Sequence, residues 1–193
     1  RSAADLVAGQ PAALRRVATL VARGSGPEEV YPAAVAELAG GLGMDHVALL
    51  QYCDDAAPVV LASRDPGGVP KLAVGERFWL DGSIVAGRVA ATGAPARIDD
   101  YDAIDGATAA RIRAMGIRSA VGAPITVGGQ LRGVLVAGST QPHAFGTETE
   151  AHVGDFADLV ATAISNAETR AALTASRARI VTAADQARRG FER

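Results

Sequence analysis

The sequence predicts an α+β fold, a mainly antiparallel sheet of about six strands with helices at both ends of the chain. Three observations lead there. Apolar residues recur with helical spacing near each terminus. The middle switches to short β-like runs that follow one another closely, as neighbouring antiparallel strands do. Two of those runs are joined by a Gly-Gly pair, the signal of a tight hairpin.

"PAALRRVATLVARG" predicts the first helix, from Pro11 to Gly24, with Leu14, Val17, Ala18 and Val21 on one face. Pro27 opens a second, with Glu28 and Glu29 at its positive end. Val30, Ala33, Ala34, Leu38 and Leu42 form its stripe, and Gly40, Gly41 and Gly43 end it. "HVALLQYC" and "PVVLASR" are strands about a turn at Asp54-Asp55. "DPGGVP" is a loop, and "ERFWL" a further short strand. "DGSIVAGRVAATGAP" is a short helix with Ser83 as its cap and Ile84, Val85, Val89 and Ala90 on one side. "ARIDDYDAIDG" is a short strand and an acidic loop, and "ATAARIRAMGI" is another short helix. "RSAVGAPITV" and "LRGVLVAGS" are strands joined through Gly128-Gly129-Gln130. In the latter strand Val134 and Val136 face one side, and Leu135 and Ala137 the other. From Phe145 a long helix runs to the end of the sequence, with Thr147 and Glu150 spaced as a capping box.

Composition excludes several functions. With 49% apolar residues but only 4% aromatics, the core must be built from Val, Leu, Ile and Ala. A net charge of -2 leaves no basic footprint for nucleic acid. The lone Cys53 rules out a disulfide framework, a cysteine zinc site or a two-cysteine redox couple. No apolar run approaches the roughly 20 residues of a membrane span, and no signal peptide is visible. Lys71 is the only lysine among an Ala-, Gly-, Val- and Arg-rich set, a GC-rich coding habit of the actinobacterial type. The first residue is Arg1, so the sequence reads as a fragment.

Few groups offer chemistry. His46, His143 and His152 show no helical metal-site spacing and read as structural or solvated. Cys53 sits beside two carboxylates, which disfavour the thiolate. Asp99, Asp100, Asp102 and Asp105 could gather a hard cation, but equally form a solvated loop. There is no phosphate-cradling glycine loop and no Ser-His-Asp set, so no catalytic or metal site is expected. In the terminal helix Leu173, Ile180 and Ala187 repeat every seven residues, with Ala184 and Phe191 four after the last two. That is the seam of about two coiled-coil heptads, interrupted upstream by Arg177.

"SIVAGRVAATGAPARIDD", "IRSAVGAPITVGGQLRGVLVAGS" and "FGTETEAHVGDFADLVATAISNA" resemble, in order and spacing, the closing motifs of a GAF domain. The resemblance implies a domain over 11–167, with terminal helices on one sheet face and a small-molecule pocket with short inserted helices on the other. The pocket is then expected between about Phe78 and Arg118. Trp79 and Tyr101 are its candidate aromatic walls, and Arg118 and Ser119 its candidate polar groups. Haem is disfavoured, because "TAARIRAMGI" lacks the histidine that some family members place before the following strand. Bilin is disfavoured by the context of Cys53. Methionine-sulfoxide reduction needs more cysteines, and the cyclic-nucleotide residue set cannot be assembled around the sole lysine.

"RARIVTAADQARRGFER" resembles the helix that enters the phospho-accepting module of sensor histidine kinases of the NarL-pairing class. Residues 168–193 are then a signalling helix. An Asp-Leu-His-Asp motif would follow it. Gly190, poor in a helix interior, marks either a joint or a frayed end. The resemblance implies a non-enzymatic cytoplasmic sensory module of such a kinase, homodimeric, with an unidentified small ligand and a response regulator reached through the kinase portion. The alternative is an empty GAF domain that serves as a dimerising spacer.

Overall fold

The computed structural model describes residues 3–53, 57–65, 71–77 and 79–191, with side chains described for 11–41, 43–53, 57–65, 71–77 and 79–180. Two helices open the chain, α1 (Ala3–Arg23) and α2 (Pro27–Leu42). Strands β1 (His46–Gln51) and β2 (Val59–Arg64) follow, then α3 (Val85–Thr92), β3 (Ala96–Ile98), a 3₁₀ turn (Tyr101–Ala103) and α4 (Ala107–Ala114). Strands β4 (Ser119–Val127) and β5 (Gln130–Ser139) lead to α5 (Thr149–Phe191). All strand pairs are antiparallel, in the order β2-β1-β5-β4-β3.

The α+β class stands, with five strands among the described residues where about six are expected. The described residues of the expected strand "ERFWL" make one bridge, between Arg77 and Val59. A turn before it consumes the edge of β2: Gly75 N–H donates to Val60 O, and Val60 N–H to Glu76 O. Trp79 and Leu80 are in no regular element, and Phe78 and the Asp54-Asp55 turn lie outside the described residues. Helix α1 starts well before Pro11, which sits exposed inside it. Ser83 does not cap α3; Ile84 is the capping position, and the Ser83 N–H donates to Asp81 instead. The capping box at Thr147 is also absent. Helix α5 starts at Thr149, and the Glu150 carboxylate accepts from Arg97 Nε at 2.8 Å. Two hairpin residues behave as read: Gly128 and Gly129 have φ of 58° and 78°, and Val127 pairs with Gln130 across them.

Strand alternation divides the core into two. Val47, Leu49, Val121, Ala123, Ile125, Leu135 and Ala137 point to one face of the sheet. There Val17 and Val21 of α1, Val30, Ala34 and Leu38 of α2, and Val153, Phe156 and Val160 of α5 cover them. Ala48, Leu50, Val60, Ala120 and Val134 point to the other face, under Leu72, Ile84, Val85, Val89, Tyr101 and Ile117. Val136 joins this second, pocket-side cluster, so the terminal helices pack on the opposite side of β5, against Leu135 and Ala137.

Candidate functional site

The pocket face is closed by side chains from the segment between β2 and β4. Helix α3 lacks a side-chain cap of its own. The Tyr101 hydroxyl takes that place, accepting from the Val85 N–H at 3.2 Å. Burial raises the Tyr101 pKa to about 12, so the phenol stays protonated. Thr108 Oγ1 donates to Asp81 Oδ2 at 2.8 Å, which ties α4 to the loop before α3. Tyr52 donates to Ala86 O at 2.7 Å and holds the other end of this cover.

Beneath the cover is a cavity of about 40 Å³, room for about three waters. Ala48, Leu50, Leu72, Ile84, Val85, Ile112, Ile117, Ala120 and Val136 give it apolar walls. Tyr101 and His46 are its two residues with polar side-chain groups. Tyr101 spends its hydroxyl on α3. His46 is only 5% exposed; its Nδ1 lies against Asp65 Oδ1, and its Nε2 has no partner. Asp65 is itself buried and accepts the Lys71 backbone N–H at 2.8 Å through Oδ2. Burial lowers the His46 pKa; Asp65 pulls it upward and Lys71 pushes it further down. The imidazole is therefore neutral at neutral pH.

Of the four expected wall residues, only Tyr101 lines this cavity. Trp79 is 72% exposed and stands outside it. Arg118 is drawn outward by the acidic loop, bonding Asp100 at 3.1 Å and Asp102 at 2.9 Å. The backbone N–H of Asp102 and the Arg118 guanidinium hold the Asp100 carboxyl below its usual range. The loop read as a possible cation site is thus partly neutralised from within the chain. Among the described residues no group of three or more His, Cys, Asp or Glu could hold a metal ion. Ser119 is fully buried, but its Oγ donates to Gln141 O at 2.7 Å. Cys53 borders a separate open cleft of about 470 Å³ with Tyr52, Leu80 and Asp81.

The residue missed by sequence reading is His46. It reads from sequence as structural or solvated, yet it falls two and four residues before Ala48 and Leu50 on the face that holds the cavity. That alternation was the available signal.

Residues 26–164, more than half of the chain, match the family model described as the GAF domain. The chain belongs to the GAF domain family. Solved GAF structures share its fold. It resembles the phycoerythrobilin-bound GAF domain from a cyanobacterial phytochrome at 20% identity and a TM-score of 0.71, over 83% of this chain and 97% of that one. The GAF domain of a phosphoenolpyruvate-protein phosphotransferase from Coxiella burnetii shares 24% identity, with a TM-score of 0.65, over 85% and 97%. Free methionine-R-sulfoxide reductase from Neisseria meningitidis, solved with its substrate, shares 20%, with a TM-score of 0.70, over 88% and 96%. No curated protein sequence matches the chain. GAF domains are a family of small-molecule-binding sensory modules, and the buried cavity lies on the sheet face opposite the terminal helices.

The far end of α5 differs from its beginning. Val153, Phe156, Ala157, Val160 and Ala163 are buried, whereas Leu173 and Ile180 are 51% and 67% exposed. The side chains of Ala184, Ala187 and Phe191 lie outside the described residues. Among the described residues no helix is long and apolar enough to cross a membrane.

Proposed function

We propose that this GAF domain is the cytoplasmic sensory module of a sensor histidine kinase, which binds a small molecule and passes its state on through α5 in a parallel homodimer. The observation that carries the reading is the continuity of α5. One unbroken 43-residue helix covers the sheet with its first half and leaves Leu173 and Ile180 in water with its second. Arg97 connects the two faces. It leaves β3 beside α3, pairs with Glu150 and donates to Gly146 O at 2.7 Å, fixing the start of α5. A ligand that favours one arrangement of the cover over another thereby biases α5, and only to the extent of its differential affinity.

The kinase context rests on the resemblance of residues 177–193 to the helix that enters a phospho-accepting module. In this reading the domain itself is not an enzyme, and the response regulator meets the kinase portion. Burying an aliphatic side chain is worth roughly 1.5–3 kcal/mol, while association costs as much or more, so the seam by itself gives a weak dimer. Analytical ultracentrifugation of the full chain and of a chain ending at Ala171 tests this. The reading expects a dimer that weakens on truncation. A monomer in both at high micromolar concentration contradicts it.

One observation favours a second reading, a ligand-free dimerising spacer. The cavity, about 40 Å³, is well below the roughly 300–1,000 Å³ of drug-sized ligand sites. Mass spectrometry of small molecules extracted from the purified chain separates the two, since a spacer yields none in stoichiometric amount.

A further inference from the structure

His46 occupies the first position of β1, directly across from Gly138 of β5. A Cβ built on Gly138 would lie 3.4 Å from His46 Cβ and 3.1 Å from Ile117 Cγ2. The glycine therefore leaves space beside the imidazole that any other residue would fill. On the opposite side, continuing the β1–β2 register past Val47 and Arg64 brings Asp65 opposite His46. The carboxylate meets Nδ1 there. Ser63, across from Ala48, has a buried hydroxyl oxygen without a partner.

The proton placement follows from this arrangement. A carboxylate accepts hydrogen bonds and cannot donate, so the nitrogen against it carries the hydrogen. A neutral imidazole with its proton on Nδ1 has a bare lone pair on Nε2. That lone pair is buried and unpartnered, on a residue that lines an otherwise apolar cavity. A buried acceptor left unpaired is costly, and a native protein tolerates one where something completes it.

We infer that the cavity takes a compact, largely apolar molecule bearing a single O–H or N–H donor, and that His46 Nε2 accepts that donor while Asp65 fixes its tautomer. This rests on the small-molecule reading of the pocket above. His46 is the selective element, because the remaining walls cannot tell a donor-bearing molecule from its hydrocarbon analogue. The apolar walls supply affinity without orientation.

The test is an NMR titration of the full chain with ethanol and with propane, which match in size, suit a space for about three waters and differ in one donor. Ethanol should bind roughly three- to tenfold more tightly, with the largest shifts at the amides of His46 and Gly138. Asp65→Asn sharpens the test without removing the imidazole. The Lys71 N–H still needs an acceptor, so the new amide oxygen takes it and the NH₂ turns to Nδ1. The proton then moves to Nε2, so ethanol can bind only as an acceptor and its advantage over propane shrinks. The imidazole ¹⁵N spectrum reads this change directly: Nδ1–H in the parent, Nε2–H in the variant. His46→Leu should abolish the preference, and Gly138→Ala should weaken both ligands alike. Equal binding of ethanol and propane overturns the inference but leaves the pocket as a ligand site. Binding of neither overturns the inference and the small-molecule reading together. An Nε2–H tautomer in the parent chain overturns the role of Asp65.

Discussion

The two faces of one sheet are finished differently. On the helix face Phe156, Leu38, Leu135 and Val17 are each almost wholly buried, and the elements that cover them are three long helices. On the pocket face the cover is made of short pieces: a two-turn α3, a 3₁₀ turn and a two-turn α4, joined by loops. These pieces are held by single polar ties such as Tyr101 to Val85 and Thr108 to Asp81. Long helices bring many apolar positions to bear at once, so they fill most of the surface they lie on and leave a space of about 90 Å³ beside Tyr31, Leu49, Ile125, Val160 and Ile164. Short ones leave a gap, and here the gap contains the unpartnered nitrogen of His46. The lesson is that the sheet is stabilised chiefly from one side, and the other side is free to carry specificity.

That difference can be attacked by mutation. The largest effect is expected at Phe156, fully buried between α5 and the sheet. Phe156→Ala should cost about 3–5 kcal/mol in urea denaturation, enough to unfold a domain of ordinary stability in part. The sharper comparison uses two adjacent residues of β5. Leu135 faces the helices and Val136 lines the cavity. Leu135→Ala should cost about 2–5 kcal/mol and Val136→Ala about 1, because the second merely enlarges an existing space. Equal losses would show that the two faces are packed alike.

The smallest effect is a pH dependence from the pocket face. The His46 pKa is lowered in the folded state, mainly by burial, with Asp65 and Asp45 opposing and Lys71 assisting. The unfolded chain therefore takes up the proton first as pH falls. The stability in question is whole above the ordinary imidazole pKa of about 6.5 and is lost as pH drops through that value toward the folded one. Thermal melts should show a decline between pH 7 and 5 that His46→Leu flattens. The carboxyls of Asp45, Asp81 and Asp100 are also held low, by Thr140 and Ser139, by Ser83 and Thr108, and by the Asp102 N–H and Arg118. Their contributions fade only nearer the carboxylate range, so the two regimes are separable.

The sequence made the scaffold readable where local chemistry dictates geometry. The β4–β5 hairpin was legible because two adjacent positive-φ positions demand glycine. The alternation of Val134, Leu135, Val136 and Ala137 was legible as well, though not which face belonged to the helices. The site was far less so. Trp79 was a wall candidate because it falls in the stretch where the family resemblance places the pocket, yet burial depends on the cover, and Trp79 itself stands 72% exposed. Arg118 and the acidic loop were read separately, and their charges pair with each other. His46 looked ordinary because its importance depends on Asp65 and Gly138, distant in sequence and adjacent in the sheet.

The contrast between the faces is tested most directly with xenon, an apolar probe that needs no hydrogen bond. Methyl NMR spectra of the full chain should be recorded under increasing xenon pressure. The account predicts shifts at Ile84, Val85, Ile112, Ile117 and Val136, which surround the cavity, and none at Val17, Leu38, Leu135 and Val153 within the helix-face core. Shifts spread equally over both sets, or confined to the second, would contradict it.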